Sequence, residues 1–155
     1  MFNISNNQGN WGFNIYDTDP ERTGNYIRNI VLVREDQMEL YNAGAVFNPQ
    51  WLALFEDARI IRFMDMMGTN NSLITSWDQR RKPDDVTWSG DVPAEVLIRL
   101  ANETGANPWF NMPFPGDDNY VRNFAELVYD NLDPELVAHV ELSNEVWNWS
   151  FAQAH

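Results

Sequence analysis

The stretch VAHVELSNEVWNW, residues 137–149, bears most on the fold and on the chemistry together. Val140-Glu141-Leu142 has the length and alternation of a strand core, and it runs directly into Asn144-Glu145 and then Trp147 and Trp149. A strand ending this way presents a carboxylic acid beside aromatic surface. Working back from it, residues 117–131 read as a helix with acidic residues at its positive end, and NPWFNMPF (107–114) as a strand. VPAEVLIRLANETG (92–105) is a helix with Asp91 as candidate cap, Leu97 and Leu100 buried, and Gly105 just past its end. RIIRFMDMM (59–67) is a compact apolar run of strand length. PQWLALFEDA (49–58) follows Asn48, a good N-cap, with Pro49 at the first helical position. This succession of helix and strand predicts right-handed βαβ units and a parallel sheet, an α/β fold. The loop 68–91 between strand and helix is long enough to suggest a functional role.

The first 40 residues read differently. WGFNIYDT (11–18) and YIRNIVLV (26–33) are rich in aromatic and β-branched residues and are separated by the turn-rich DTDPERTGN (17–25), which predicts two antiparallel strands. Residues 1–40 are therefore expected to form a β-rich segment, the end of a β-sandwich or an extension, ahead of a second region spanning 41–155.

Composition narrows the function. Asp and Glu outnumber Lys and Arg 23 to 10, and a net charge of −13 repels nucleic-acid phosphates and anionic membranes. Neither partner is expected. The absence of cysteine excludes disulfides and thiolate metal sites. With only His139 and His155 and no His-x-x-x-His pattern, no metal is expected, and no glycine-rich phosphate loop implies a nucleotide cofactor. Asp84-Asp85 and Asp117-Asp118 read as solvated acids at a loop and a helix start. The opening MFNISNNQGN shows no secretory signal and no membrane span. Aromatic residues make up 14% of the chain, and Trp11, Trp77, Trp88, Trp147 and Trp149 sit among Asn, Ser, Asp and Gly. A sugar ring stacks its C–H face on an aromatic plane while amides and carboxylates bond its hydroxyls, so this pattern favours carbohydrate.

In α/β barrels the active site lies at the C-terminal ends of the strands. The three readable ends carry Arg62, Asp65, Asn70, Asn111, Asn144 and Glu145, and Trp77, Trp109 and Trp147 are the expected subsite walls. Strand alternation places Glu141, Ser143 and Glu145 on one face, and Ile60, Arg62 and Met64 on another. If both faces point inward, Arg62 and Glu141 are buried neighbours able to pair.

VELSNE resembles the fourth strand of the clan A glycoside hydrolases, retaining enzymes built on a (β/α)8 barrel, in which an Asn-Glu pair ends that strand. The resemblance implies that Glu145 is the general acid/base and that Asn144 bonds the sugar 2-hydroxyl. It gives Arg62 an electrostatic role near the nucleophile. DPERTGNYIRNI, FNPQWL, RIIRFMDMMGTNNS, SWDQRRKPDD and VELSNEVWNW also resemble a group of bacterial proteins that look like secreted carbohydrate-active members of that clan. Asp65-Met66 departs from the Asp-Trp of that phrase, so no stacking role is assigned to Met66. The fold implied is the N-terminal half of a (β/α)8 TIM barrel, about strands 1–4, over 41–155, because a complete barrel takes roughly 250 residues.

The implied activity is retaining hydrolysis of a β-linked polysaccharide or oligosaccharide by a parent protein that is extracellular or periplasmic. The clan's nucleophile ends strand seven, which this chain does not contain, so the 155 residues alone are expected to be inactive. The alternative is a noncatalytic carbohydrate-binding or cell-surface protein on the same scaffold. A complete small α/β protein is a third reading, disfavoured because an open parallel sheet exposes an edge.

Overall fold

The computed structural model describes residues 2–7, 10–28 and 30–155, with side chains from Asn14 onward except at position 29. The chain divides into two compact units, Met1–Val46 and Phe47–His155.

In the first unit, β1 (Phe2–Asn7) pairs antiparallel with β2 (Asn10–Ile15), in a register running from Phe2↔Ile15 to Asn7↔Asn10. The WGFNIY pattern does form a strand, but its partner precedes it. Among the described residues of 26–33, expected as the second strand, none is in a strand. Pairing across two intervening residues closes a far shorter loop than pairing across the Asp17–Asn25 turn, and short closure costs less entropy. That turn is held by the Asp19 carboxylate, which accepts from the backbone N–H of Thr23 at 3.0 Å and of Gly24 at 2.7 Å. A short helix, α1 (Met38–Asn42), ends the unit.

The second unit opens as its residues dictate. Asn48 caps α2 (Pro49–Leu52) by accepting from Gln50 N–H at 2.8 Å, and a 3-10 turn continues it over Ala53–Phe55. Then come β3 (Ile60–Arg62), α3 (Ala94–Thr104), β4 (Asn107–Met112), α4 (Asp118–Asn131) and β5 (His139–Leu142). The strands form one parallel sheet in the order β3-β4-β5, with Arg62↔Trp109 and Asn111↔Glu141 in register. Gly105 closes α3 at φ 68°, a left-handed geometry that glycine adopts without a Cβ clash. Asp117 caps α4 by accepting from Tyr120 N–H at 2.6 Å. The expected cap Asp91 pairs instead with Arg81 at 3.1 Å, and Pro93 holds the N-cap position of α3.

Strand alternation gives the sheet two unlike faces. Ile61, Phe110 and Met112 point toward α3 and α4 and make the core with Phe63, Leu97, Ile98, Leu100, Tyr120 and Phe124. The alternate residues Arg62, Trp109, Asn111 and Glu141 occupy the opposite, polar face. The loop after β3 is tied down rather than free: Val92 N–H donates to Met66 C=O at 2.6 Å, and Arg80 pairs with Glu95 on α3 at 2.7 Å. At Gly68 (φ 55°) the loop passes so close to Gly90 that a Cβ would lie 2.6 Å from its carbonyl oxygen.

This architecture corrects the half-barrel expectation. The fold is α/β, but among the described residues its parallel sheet has three strands, not four, and no barrel arrangement is formed. Among the described residues no strand precedes β3 in the sheet, so β3 and β5 each have one neighbour there and are edges. The alternating pattern in the sequence specifies βαβ units; how many strands join one sheet depends on edge pairing, which periodicity does not encode. No helix among the described residues is long and apolar enough to cross a membrane.

Candidate functional site

The polar face of the sheet is organised around one carboxylate. Glu141 Oε2 accepts from Arg62 Nε at 3.2 Å and Nη2 at 2.8 Å, from Trp109 Nε1 at 3.0 Å, and from Asn111 Nδ2 at 2.8 Å. Each of the three parallel strands supplies a member: Arg62 is in register with Trp109 and Asn111 with Glu141, and the long Arg62 side chain reaches across β4 to the carboxylate. The Arg62–Glu141 pair that alternation implies is thus formed, although its side chains remain about one-third exposed, at 35% and 31%, rather than buried. The guanidinium also lies over the Trp109 ring, 5.3 Å from its centroid.

Partial burial pushes the Glu141 carboxyl up. Hydrogen bonds from Arg62 and Asn111, the Arg62 charge and the Trp109 bond outweigh that effect and hold it below the usual carboxylate range. Glu141 is therefore a fixed anion, unsuited to giving or taking protons near neutrality. A carboxyl with a lowered folded-state pKa stabilises the fold above its unfolded value, and this is lost as pH falls through the folded value. The melting-temperature difference between the wild type and Glu141→Gln should accordingly be largest near neutral pH. It should shrink as pH drops below the ordinary value of 4.5, a trend that thermal melts at a series of pH values would read directly.

Beyond Leu142 the alternation stops. Ser143 (φ 57°) and Glu145 (φ 43°) both adopt left-handed backbone, so Glu145 leaves the face shared by Glu141. Each such non-glycine residue costs about 1–3 kcal/mol, and strain of this kind concentrates where geometry serves a function. Asn144 sits between them, nearly buried. Its Oδ1 accepts from Arg62 Nη2 at 2.8 Å, and its Nδ2 donates to Asn70 Oδ1 at 3.0 Å. Among the described residues, one N–H and one lone pair of that amide make no further hydrogen bond. Glu145 Oε2 accepts from Asn148 Nδ2 at 2.7 Å, while among the described residues Oε1 has no hydrogen-bond partner. Asn111 Nδ2 also reaches Ser143 C=O at 2.8 Å. Asn111 Oδ1 and Ser143 Oγ are buried without a hydrogen-bond partner among the described residues, so unused hydrogen-bonding capacity collects at this strand end.

Arg62, Asn70, Trp109, Asn111 and Asn144 are therefore brought into one hydrogen-bonded cluster, with Glu145 adjoining through the backbone. Asp65 is exposed, and its carboxylate makes none of the cluster's bonds. Trp77 packs its ring against Tyr120 at 5.4 Å and Phe124 at 6.5 Å on α4, with Arg80 over its face at 4.2 Å. Trp147 is 72% exposed. Two participants were not among the expected site residues. Strand alternation marks Glu141 only as a pairing partner, and Gln153 carries no sequence signal because its contacts lie up to 83 positions away. No group of His, Cys, Asp and Glu among the described residues is arranged to hold a metal ion. No family model, curated protein or solved structure matches this chain.

Proposed function

We propose that this polar face binds a β-linked carbohydrate, with Glu145 as general acid/base of glycosidic cleavage and Asn144 holding a sugar hydroxyl. The observation that carries the reading is the held Asn144-Glu145 pair at a strand end, with one carboxylate oxygen of Glu145 uncommitted. Trp109 and Trp147 supply ring faces, Asn70 adds a partly exposed amide able to bond a sugar hydroxyl, and the buried Asn111 holds Glu141 and the Ser143 carbonyl behind them. A polysaccharide substrate places the working site outside the cytoplasm.

Double displacement needs a second carboxylate about 5 to 5.5 Å from the acid/base. Among the described residues the Arg62 cluster holds one carboxylate, Glu141, and its hydrogen bonds leave it a poor nucleophile. That observation favours a second reading, a noncatalytic carbohydrate-binding protein using the same face. A panel of β-linked oligosaccharides scored for both binding and reducing-sugar release separates them. Binding with release supports hydrolysis, binding without release supports the second reading, and neither binding nor release contradicts both.

A further inference from the structure

The short 3-10 turn Ala152–Ala154 returns to the strand ends and inserts one side chain among them. Gln153 is 9% exposed, and its amide is almost fully used. Oε1 accepts from Asn71 N–H at 3.0 Å, while Nε2 donates to Asn70 Oδ1 and to Asn144 C=O, each at 2.7 Å. Asn71 answers by accepting from Ala152 N–H at 2.7 Å, so the turn is fastened on both sides.

We infer that Gln153 is a positioning residue for the Asn144-Glu145 pair, an assignment that rests on the sugar-binding role proposed for that pair. Three couplings carry it. Gln153 ties down the carbonyl between Asn144 and Glu145, so it restrains the peptide that leads into the left-handed Glu145. It also shares the Asn70 Oδ1 acceptor with Asn144 Nδ2, which fixes the rotamer of Asn70 and through it that of Asn144. Asn144 Oδ1 in turn holds Arg62 Nη2, so the chain of contacts runs from Gln153 to the Glu141 ion pair. Amides suit this work because one group accepts on one side and donates on the other.

The test reads hydrogen exchange of the Arg62 Nε–H and the Asn144 side-chain amide by NMR, without any substrate. Gln153→Met keeps the volume and removes every hydrogen bond of the amide. Losing the two donor bonds should speed exchange at both groups by about tenfold or more. Gln153→Glu keeps the shape and the Asn71 contact but aims a carboxylate at two acceptors. Its exchange should be fast near neutral pH and return toward the wild-type rate, compared at equal pH, as protonation restores one O–H donor.

A residue that merely fills space would show neither the acceleration in Gln153→Met nor the pH-dependent recovery in Gln153→Glu. Wild-type exchange in the folded Met variant overturns the proposal. Loss of the fold in both variants does so too, by making Gln153 a folding residue. A wild-type protein that binds no glycan yet shows the exchange effects would refute the sugar reading and leave the positioning role intact.

Discussion

Where the glycan panel shows release, replacing Glu145 with Gln is expected to lower turnover of a β-glycoside by about 10²–10⁴-fold, the usual contribution of a positioned general acid/base, while glycan affinity is retained. The amide matches the carboxylate in shape and keeps an oxygen to accept from Asn148 Nδ2, so the loop geometry should survive. What it loses is the proton delivered to the leaving oxygen and later withdrawn from water. The contrast with Glu141 is informative. Glu141 is bound to Arg62, Trp109 and Asn111, so Glu141→Gln should act on stability and on Arg62 placement rather than on proton transfer. Measuring kcat and Kd for Glu145→Gln on the best glycan of the panel decides the matter: unchanged turnover would remove Glu145 from the chemistry.

The largest effect on folding should come from Phe110→Ala. Phe110 is fully buried in the central strand, 5.6 Å from the Phe63 ring and 5.1 Å from the Phe124 ring. Truncation leaves a cavity between sheet and helix and should cost about 3–5 kcal/mol. At roughly 2–4 °C per kcal/mol for a chain of this size, the melting temperature should fall by roughly 6–20 °C. Because Phe110 alternates with Trp109 and Asn111, its packing also fixes how the polar face is presented. A drop of only about 1 kcal/mol in a calorimetric or circular-dichroism melt would mean that the apolar and polar faces of β4 have been assigned the wrong way round.

The parts legible in the sequence were those set by local rules. Residues 94–104 and 118–131 follow helical periodicity, Gly105 ends its helix by left-handed backbone, Asp117 begins its helix with a side-chain cap, and strand alternation put Arg62 and Glu141 on one face of the sheet. What escaped depends on distant contacts. The count of strands in the sheet is set by edge pairing, so the half-barrel expectation failed although the βαβ pattern beneath it was real. The left-handed turns at Ser143 and Glu145 break the alternation used to place Glu145, and neither residue type announces such a conformation. Trp77 stands among polar neighbours in sequence, yet its ring is consumed by Tyr120 and Phe124.

Whether the Asn144-Glu145 strand end recognises sugar is read from titration calorimetry of the wild type and Asn144→Ala against the best-binding β-linked oligosaccharide. Saturable binding by the wild type is expected, weakened in Asn144→Ala about five- to tenfold by losing one hydrogen bond to a sugar hydroxyl, with the melting curve showing a folded variant. Equal affinity in the two proteins, or no saturable binding by the wild type, would contradict it.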